Sequence, residues 1–192
     1  YQIVAPMPIA DFIIGEHLPF TALYLFTRID FFSAFPIVFL LFINLLGLIA
    51  LFTLTLRFVA DIKNEWFSNN IFTPQNIALV TLFFFGPLYT LASPQAKFVS
   101  GGVVGNTFGN FFIPLILLVY YRAFKEKHSG FLALGFFFTF VLAYIHHLST
   151  LILLFILLAS ALSYILFHFK TVQETFQSWW KLFFSPVPII TI

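Results

Sequence analysis

His146 and His147 stand side by side within a long stretch, from Lys127 to Lys170, that is interrupted by no Asp, Glu, Lys or Arg. Imidazoles in such a place accept or donate protons, contact a phosphate or bind a metal. Adjacent helical positions point about 100° apart, so the two rings share one ion only if the chain leaves the helix there, and no third ligand stands beside them. Lys97 is the sole charge between two other apolar stretches, beside Pro94 and Gln95. An ionisable group so placed is a candidate for neutralising a lipid phosphate as a point charge on a flexible stem; its plain alternative is a lysine that snorkels at the end of a span. Asn106 and Asn110 are four residues apart, next to a glycine stripe at Gly101, Gly105 and Gly109, and are placed to hydrogen-bond a polar ligand that enters the membrane. The same pattern equally serves close helix packing with amides bonding between helices. Asp11 and Glu16 are the remaining candidates, either one a general base for a hydroxyl nucleophile. They lie roughly 140° apart around a helix and form no carboxylate pair, and the ordinary reading makes them charges on the wet side of interfacial helices.

The elements that position these groups follow from composition. Of 192 residues, 61% are hydrophobic and 8% charged, and the mean hydropathy is +1.02, values beyond what a soluble core conceals. Phe alone supplies 31 residues, which suits lipid-facing surface and carries no functional weight. With no cysteine, disulfide frameworks and thiolate metal sites are excluded. No phosphate-cradling glycine loop, serine nucleophile elbow or nucleic-acid patch occurs, so nucleic acid is not an expected partner. The stretch bounded by Lys127 and Lys170 would extend about 60 Å as one helix, twice the ~30 Å hydrocarbon core, and is expected to cross twice with the histidines at the turn.

Charge-free stretches at 31–56, 66–96 and 98–121 supply three further spans, giving five transmembrane helices near 34–57, 72–92, 99–121, 130–146 and 149–168. No alternation of a barrel strand recurs, so the fold class is all-α, a polytopic helical bundle occupying 31–169. Alternating spans place Arg57, Lys63, Arg122, Lys125, Lys127, Lys170 and Lys181 on one side and leave Arg28 and Lys97 on the other. That asymmetry orients the basic side toward the cytoplasm. Residues 1–30, the loop around Lys97 and the His146-His147 turn are then extracytoplasmic on a multi-pass plasma-membrane protein.

In the first 30 residues, Ile9, Phe12, Ile13, Phe20, Leu23 and Phe26 alternate with Asp11, Glu16, His17, Arg28 and Asp30. Central burial of a charge costs about 2.5 to 3.5 kcal/mol on the insertion scale, which favours helices lying flat in the interface over a span. Pro8 and Pro19 suit the first turns of two such amphipathic helices, with a re-entrant hairpin as the alternative. Residues 170–192 are expected to form a cytoplasmic amphipathic segment and the start of a further span. The opening at Tyr1 and the uncharged end at 182–192 suggest a piece of a longer protein.

The opening run from Tyr1 through Pro6 to Pro8, the flat stretch after it, the Gly101 to Pro114 motif leading into Leu115, Ile116, Leu117 and Leu118, and the Tyr144 to Thr150 turn together resemble the polytopic GT-C glycosyltransferases, which use polyprenyl-phosphate sugars. The resemblance implies a lipid-linked sugar donor and membrane lipids as partners, with an extracytoplasmic active site. A carboxylate there deprotonates an acceptor hydroxyl while a cation balances the departing phosphate. In that family the catalytic Asp or Glu sits in a loop that would precede Tyr1, so Asp11 and Glu16 stand in for it here, with Lys97, Asn106, Asn110, His146 and His147 assigned to substrate. No cofactor is assigned, and a divalent metal is left open. A transporter or channel component, its polar path lined by the Gly/Asn helix and the histidine pair, is the alternative, although no Asp, Glu, Lys or Arg lies deep in the five spans. A non-catalytic scaffold associating through the glycine stripe is a third.

Overall fold

A computed structural model describes residues 18–30, 33–34, 45–66, 73–90, 104–167 and 172–184. All the regular secondary structure among them is helical, as expected: α1 (Leu18–Thr27), α2 (Leu46–Trp66), α3 (Pro74–Thr90), α4 (Val104–Glu126), α5 (Ser129–Ile145), α6 (His147–Phe167) and α7 (Val172–Phe183).

Local chemistry sets several helix ends. Thr73 caps α3 by accepting the Asn76 N–H at 3.1 Å, and Pro74 follows at the first position, where its missing N–H costs nothing. His128 caps α5, its Nδ1 accepting the Gly130 N–H at 3.1 Å. Between α4 and α5 the chain reverses through Lys127 at φ 51°, a left-handed residue just past a helix end. Pro19 falls in the first turn of α1, matching one of the two expected N-terminal helices; the other, with Pro8, lies outside the described residues. The ten residues of α1 contain no charge, so Arg28 and Asp30 follow the helix rather than line a face of it.

The helix α4 is the hub, packing against α2, α5 and α6. Ile116 of α4, Leu142 of α5 and Leu153 of α6 are all fully buried and meet in one cluster, ringed by Phe112, Tyr120, Phe138 and Leu157. Two close approaches register α4 on α5. The Tyr120 ring lies over Gly135, where an added Cβ would come within 2.6 Å of the ring. The Thr139 hydroxyl donates to the Gly135 carbonyl at 2.8 Å, so at 3.0 Å it accepts the Tyr120 O–H.

Two helices run past the limits that hydropathy set. The helix α2 continues beyond 57 to Trp66, and α4 beyond 121 to Glu126. Each extension carries charge that finds partners: Tyr121 Oη donates to Asp61, Lys125 Nζ lies 3.6 Å from the same carboxylate, and Arg122 grips Glu126 through Nε at 2.8 Å and Nη2 at 3.2 Å. The Arg122 hydrogen bond, more than any other group, holds the Glu126 carboxyl below the usual carboxylate range. An apolar stretch ends where charge begins, whereas helical hydrogen bonding continues across that boundary.

Among the described residues, one helix, over His147–Leu166, is long and apolar enough to cross a membrane, and 11% of its apolar stretch is buried inside the protein. A soluble core helix of that composition would be mostly covered; here Leu151, Phe155, Leu158, Leu162 and Leu166 are exposed. Pro74–Phe85 and Ser129–Ile145 are shorter apolar helices.

Candidate functional site

The expected histidine turn is a one-residue corner. Helix α5 ends at Ile145, His146 is extended at φ −154° and ψ 103°, and α6 begins at His147. His146 therefore closes one helix and opens the next. Its N–H donates to the Leu142 carbonyl at 2.7 Å, and its own carbonyl accepts the Thr150 N–H at 3.2 Å. Its Nδ1 accepts the Ser149 N–H at 3.2 Å in the manner of an N-cap three residues ahead, with Ser149 Oγ 2.8 Å away.

These bonds define the tautomers. A backbone N–H can only donate, so His146 Nδ1 carries no proton and the neutral ring is protonated at Nε2. His147 is the reverse: its Nδ1 lies 2.6 Å from the Ala143 carbonyl, which can only accept, so the proton is on Nδ1 and the Nε2 lone pair is open to an incoming donor. His146 is 8% exposed, whereas His147 is exposed. Neighbours in sequence, they present opposite hydrogen-bonding character and opposite burial.

Gly109 of α4 explains how the corner fits. A Cβ at 109 would lie 2.0 Å from Ser149 Oγ and 2.6 Å from Ser149 Cβ, so glycine alone lets α4 pass the first turn of α6 at this distance. Ser149 is 4% exposed beneath it. Helix α1 touches this region through Phe20, which clusters with Ala34, with Phe108 beside Gly109, and with Ile145 beside His146.

Of the residues singled out from sequence, the structure brings His146 and His147 to this corner and puts Asn106 and Asn110 on α4 on either side of the 108–109 contact. The side chains of both asparagines lie outside what is described, as do Asp11, Glu16, Lys97 and Gly101 altogether. Ser149 escaped sequence reasoning as a member of the site; the signal was the His-x-x-Ser spacing of a helix N-cap. Asp61, which joins α2 to α4 through Tyr121 and Lys125, was also missed because its partners lie about sixty residues away in sequence. Among the described residues, no three His, Cys, Asp or Glu side chains gather to hold a metal. No protein-family model, curated protein or solved structure matches the chain.

Proposed function

We propose that the chain crosses the bilayer five times, near 34–57, 72–92, 99–121, 130–146 and 149–168, and forms the membrane body of a GT-C-like glycosyltransferase that moves a sugar from a polyprenyl-phosphate donor to an acceptor hydroxyl at the extracytoplasmic surface. The observation that carries this reading is the histidine corner at the start of the membrane-length helix. His147 is exposed there with its ring held by Ala143 and its basic nitrogen available, beside a buried, capped His146. A polar, preorganised turn at the end of an apolar helix is where a lipid-tailed donor and a water-soluble acceptor meet, because the tail partitions into lipid and the sugar does not.

The basic residues support the orientation. Arg57, Arg122, Lys125 and Lys127 belong to the end of the bundle where α4 finishes and α5 begins, and α5 separates that end from the histidine corner by its full 17 residues, about 25 Å of helix. On this reading, Asp11 or Glu16 takes the proton of the acceptor hydroxyl, and His147 Nε2 orients the acceptor by receiving a hydrogen bond from a neighbouring hydroxyl of the same molecule. The new glycosidic bond forms as the bond from the anomeric carbon to phosphate oxygen breaks, and polyprenyl phosphate leaves with the electron pair while Lys97 balances its charge.

Full-length protein in nanodiscs, given a panel of radiolabelled polyprenyl-phosphate sugars, is expected to transfer from at least one donor. His147→Ala should lower kcat/KM about five- to tenfold, the loss of one hydrogen bond of about 1 kcal/mol. Absence of both binding and turnover across the panel overturns the assignment, and a vectorial movement of solute without transfer would point to transport.

A further inference from the structure

Helix α7 meets the rest of the chain along one side only. Thr175 bonds Tyr164 of α6 at 3.0 Å, Trp179 lies 4.7 Å from Phe124 of α4, and Phe183 lies 5.7 Å from Phe136 of α5. At about 100° per residue, the next sector around the helix holds Phe176, Trp180 and Phe184, and the sector after it holds Gln177 and Lys181. The aromatic row stacks at 6.0 Å and 4.5 Å between successive rings and stays 63%, 57% and 59% exposed. It turns away from the cavity of about 290 Å3 that Ser178 and Leu182 line with Phe124 and Lys127.

The heights of the contacts tell which way this row looks. Phe124 is two residues short of the end of α4 at Glu126, about 3 Å along the axis, whereas Phe136 is seven residues past the start of α5 at Ser129, about 10 Å from the same end of the bundle. Tyr120 of α4, 6.2 Å from Phe136, marks the same height from the other helix. From Trp179 to Phe183, α7 therefore climbs along the side of the bundle instead of crossing beneath it. A face turned away from the bundle on such a helix looks sideways, into whatever surrounds α6. Tyr164 stands two residues before Leu166, where the membrane-length helix ends, so the climb starts at that edge. Leu162 and Leu166 carry the exposed apolar surface of α6 to the same level.

The chemistry of the row names its occupant. Three aromatic rings with a single polar group, the Trp180 indole N–H, suit the boundary between lipid headgroups and acyl chains, where Trp is enriched. Gln177 and Lys181 stay exposed beside the row, and a lysine there extends its stem toward water. The two charges of α7, Glu174 and Lys181, cancel, so attraction to an anionic surface is no part of the fit.

We propose that the Phe176, Trp180 and Phe184 face of α7 is seated in the headgroup boundary of the leaflet at this end of α6, held by aromatic burial and indifferent to lipid charge. The inference rests on α6 crossing the bilayer and is independent of the transferase reading.

Trp180 reports its own surroundings once Trp66 and Trp179, the other two tryptophans, are replaced by Phe. Full-length Trp66→Phe/Trp179→Phe protein goes into nanodiscs of phosphatidylcholine brominated near either the glycerol end or the methyl end of its acyl chains. Bromine near the glycerol end should lower Trp180 emission about twofold, with bromine at the methyl end and aqueous iodide each doing less. Exchanging part of the lipid for phosphatidylglycerol, or raising salt to about 0.5 M, should leave the quenching unchanged. A nitroxide at Phe176→Cys, with all three tryptophans retained, gives the second readout: collisions with dissolved oxygen should exceed those with an aqueous nickel chelate. Quenching by iodide with none by bromolipid, or dominant nickel collisions, puts the row in water and overturns the proposal. Protection from every quencher overturns it in favour of a protein partner such as a second copy of the chain, and quenching that appears only with phosphatidylglycerol overturns the charge-independent seating.

Discussion

His146 spends both of its backbone polar groups and its Nδ1 on joining two helices, a structural duty that its neighbour does not share. Removing the ring in His146→Ala leaves the Ser149 N–H without its cap, and should cost about 1 kcal/mol of stability, read as a drop in Tm of the detergent-solubilised protein. Asn accepts the same N–H from a shorter side chain, so His146→Asn should recover most of that loss. His147→Ala should leave the stability within about 0.5 kcal/mol of the parent, because its ring is exposed. A comparable loss in both variants would contradict the division of labour drawn from the two tautomers. The pair also shows what adjacency conceals: the sequence presents two identical side chains, and the bonds to Ser149 and Ala143 make one a donor and the other an acceptor at Nε2.

Among the helices, α4 approaches its neighbours where one partner has no side chain: Gly109 of α4 against Ser149 of α6, and Gly135 of α5 under the Tyr120 ring. Gly109→Ala should push α4 away from the first turn of α6 and destabilise by about 1 to 3 kcal/mol, the usual range for overpacking. Because the added Cβ would meet Ser149 Oγ and Cβ, Ser149→Ala in that background relieves only part of the clash and Ser149→Gly relieves more. Denaturant titration of the single and double variants measures the order; additive losses would mean that the two positions do not touch. On the α5 side, Tyr120→Phe removes the bond to Thr139 without altering the ring's fit over Gly135, and should cost about 0.5 to 1.5 kcal/mol, the usual net worth of an intramolecular hydrogen bond.

For the chain as a unit, the informative asymmetry is that the apolar helix of membrane length, α6, is largely uncovered. Leu158→Arg near the middle of α6 should raise the apparent insertion free energy by about 2.5 to 3.5 kcal/mol in a translocon assay, and insertion unaffected by the charge would place α6 outside the bilayer. Orientation is open to a clean measurement because the sequence contains no cysteine. In intact cells, His147→Cys, exposed at the corner, should react with a membrane-impermeant maleimide from outside, whereas Lys127→Cys should react only after the membrane is permeabilised. Reversed labelling would invert the proposed topology and move the histidine corner to the cytoplasmic face.

The all-helical architecture, the positions of α3, α5 and α6 to within a few residues, and the break at the histidines were legible in the order of residues, because apolar length, prolines, caps and charge asymmetry are local quantities that a helix expresses without reference to its neighbours. The ends of α2 and α4 were not, since charges that stop a hydropathy window continue a helix once Asp61, Tyr121 and Lys125 find one another. Nor could sequence spacing show that Gly109 faces Ser149, that Phe20 of α1 joins Phe108 and Ile145, or that α7 and the end of α4 line a cavity. Those depend on the rotation and depth at which helices pack, set by side-chain contacts between positions tens of residues apart, and only the packed chain brings them within reach.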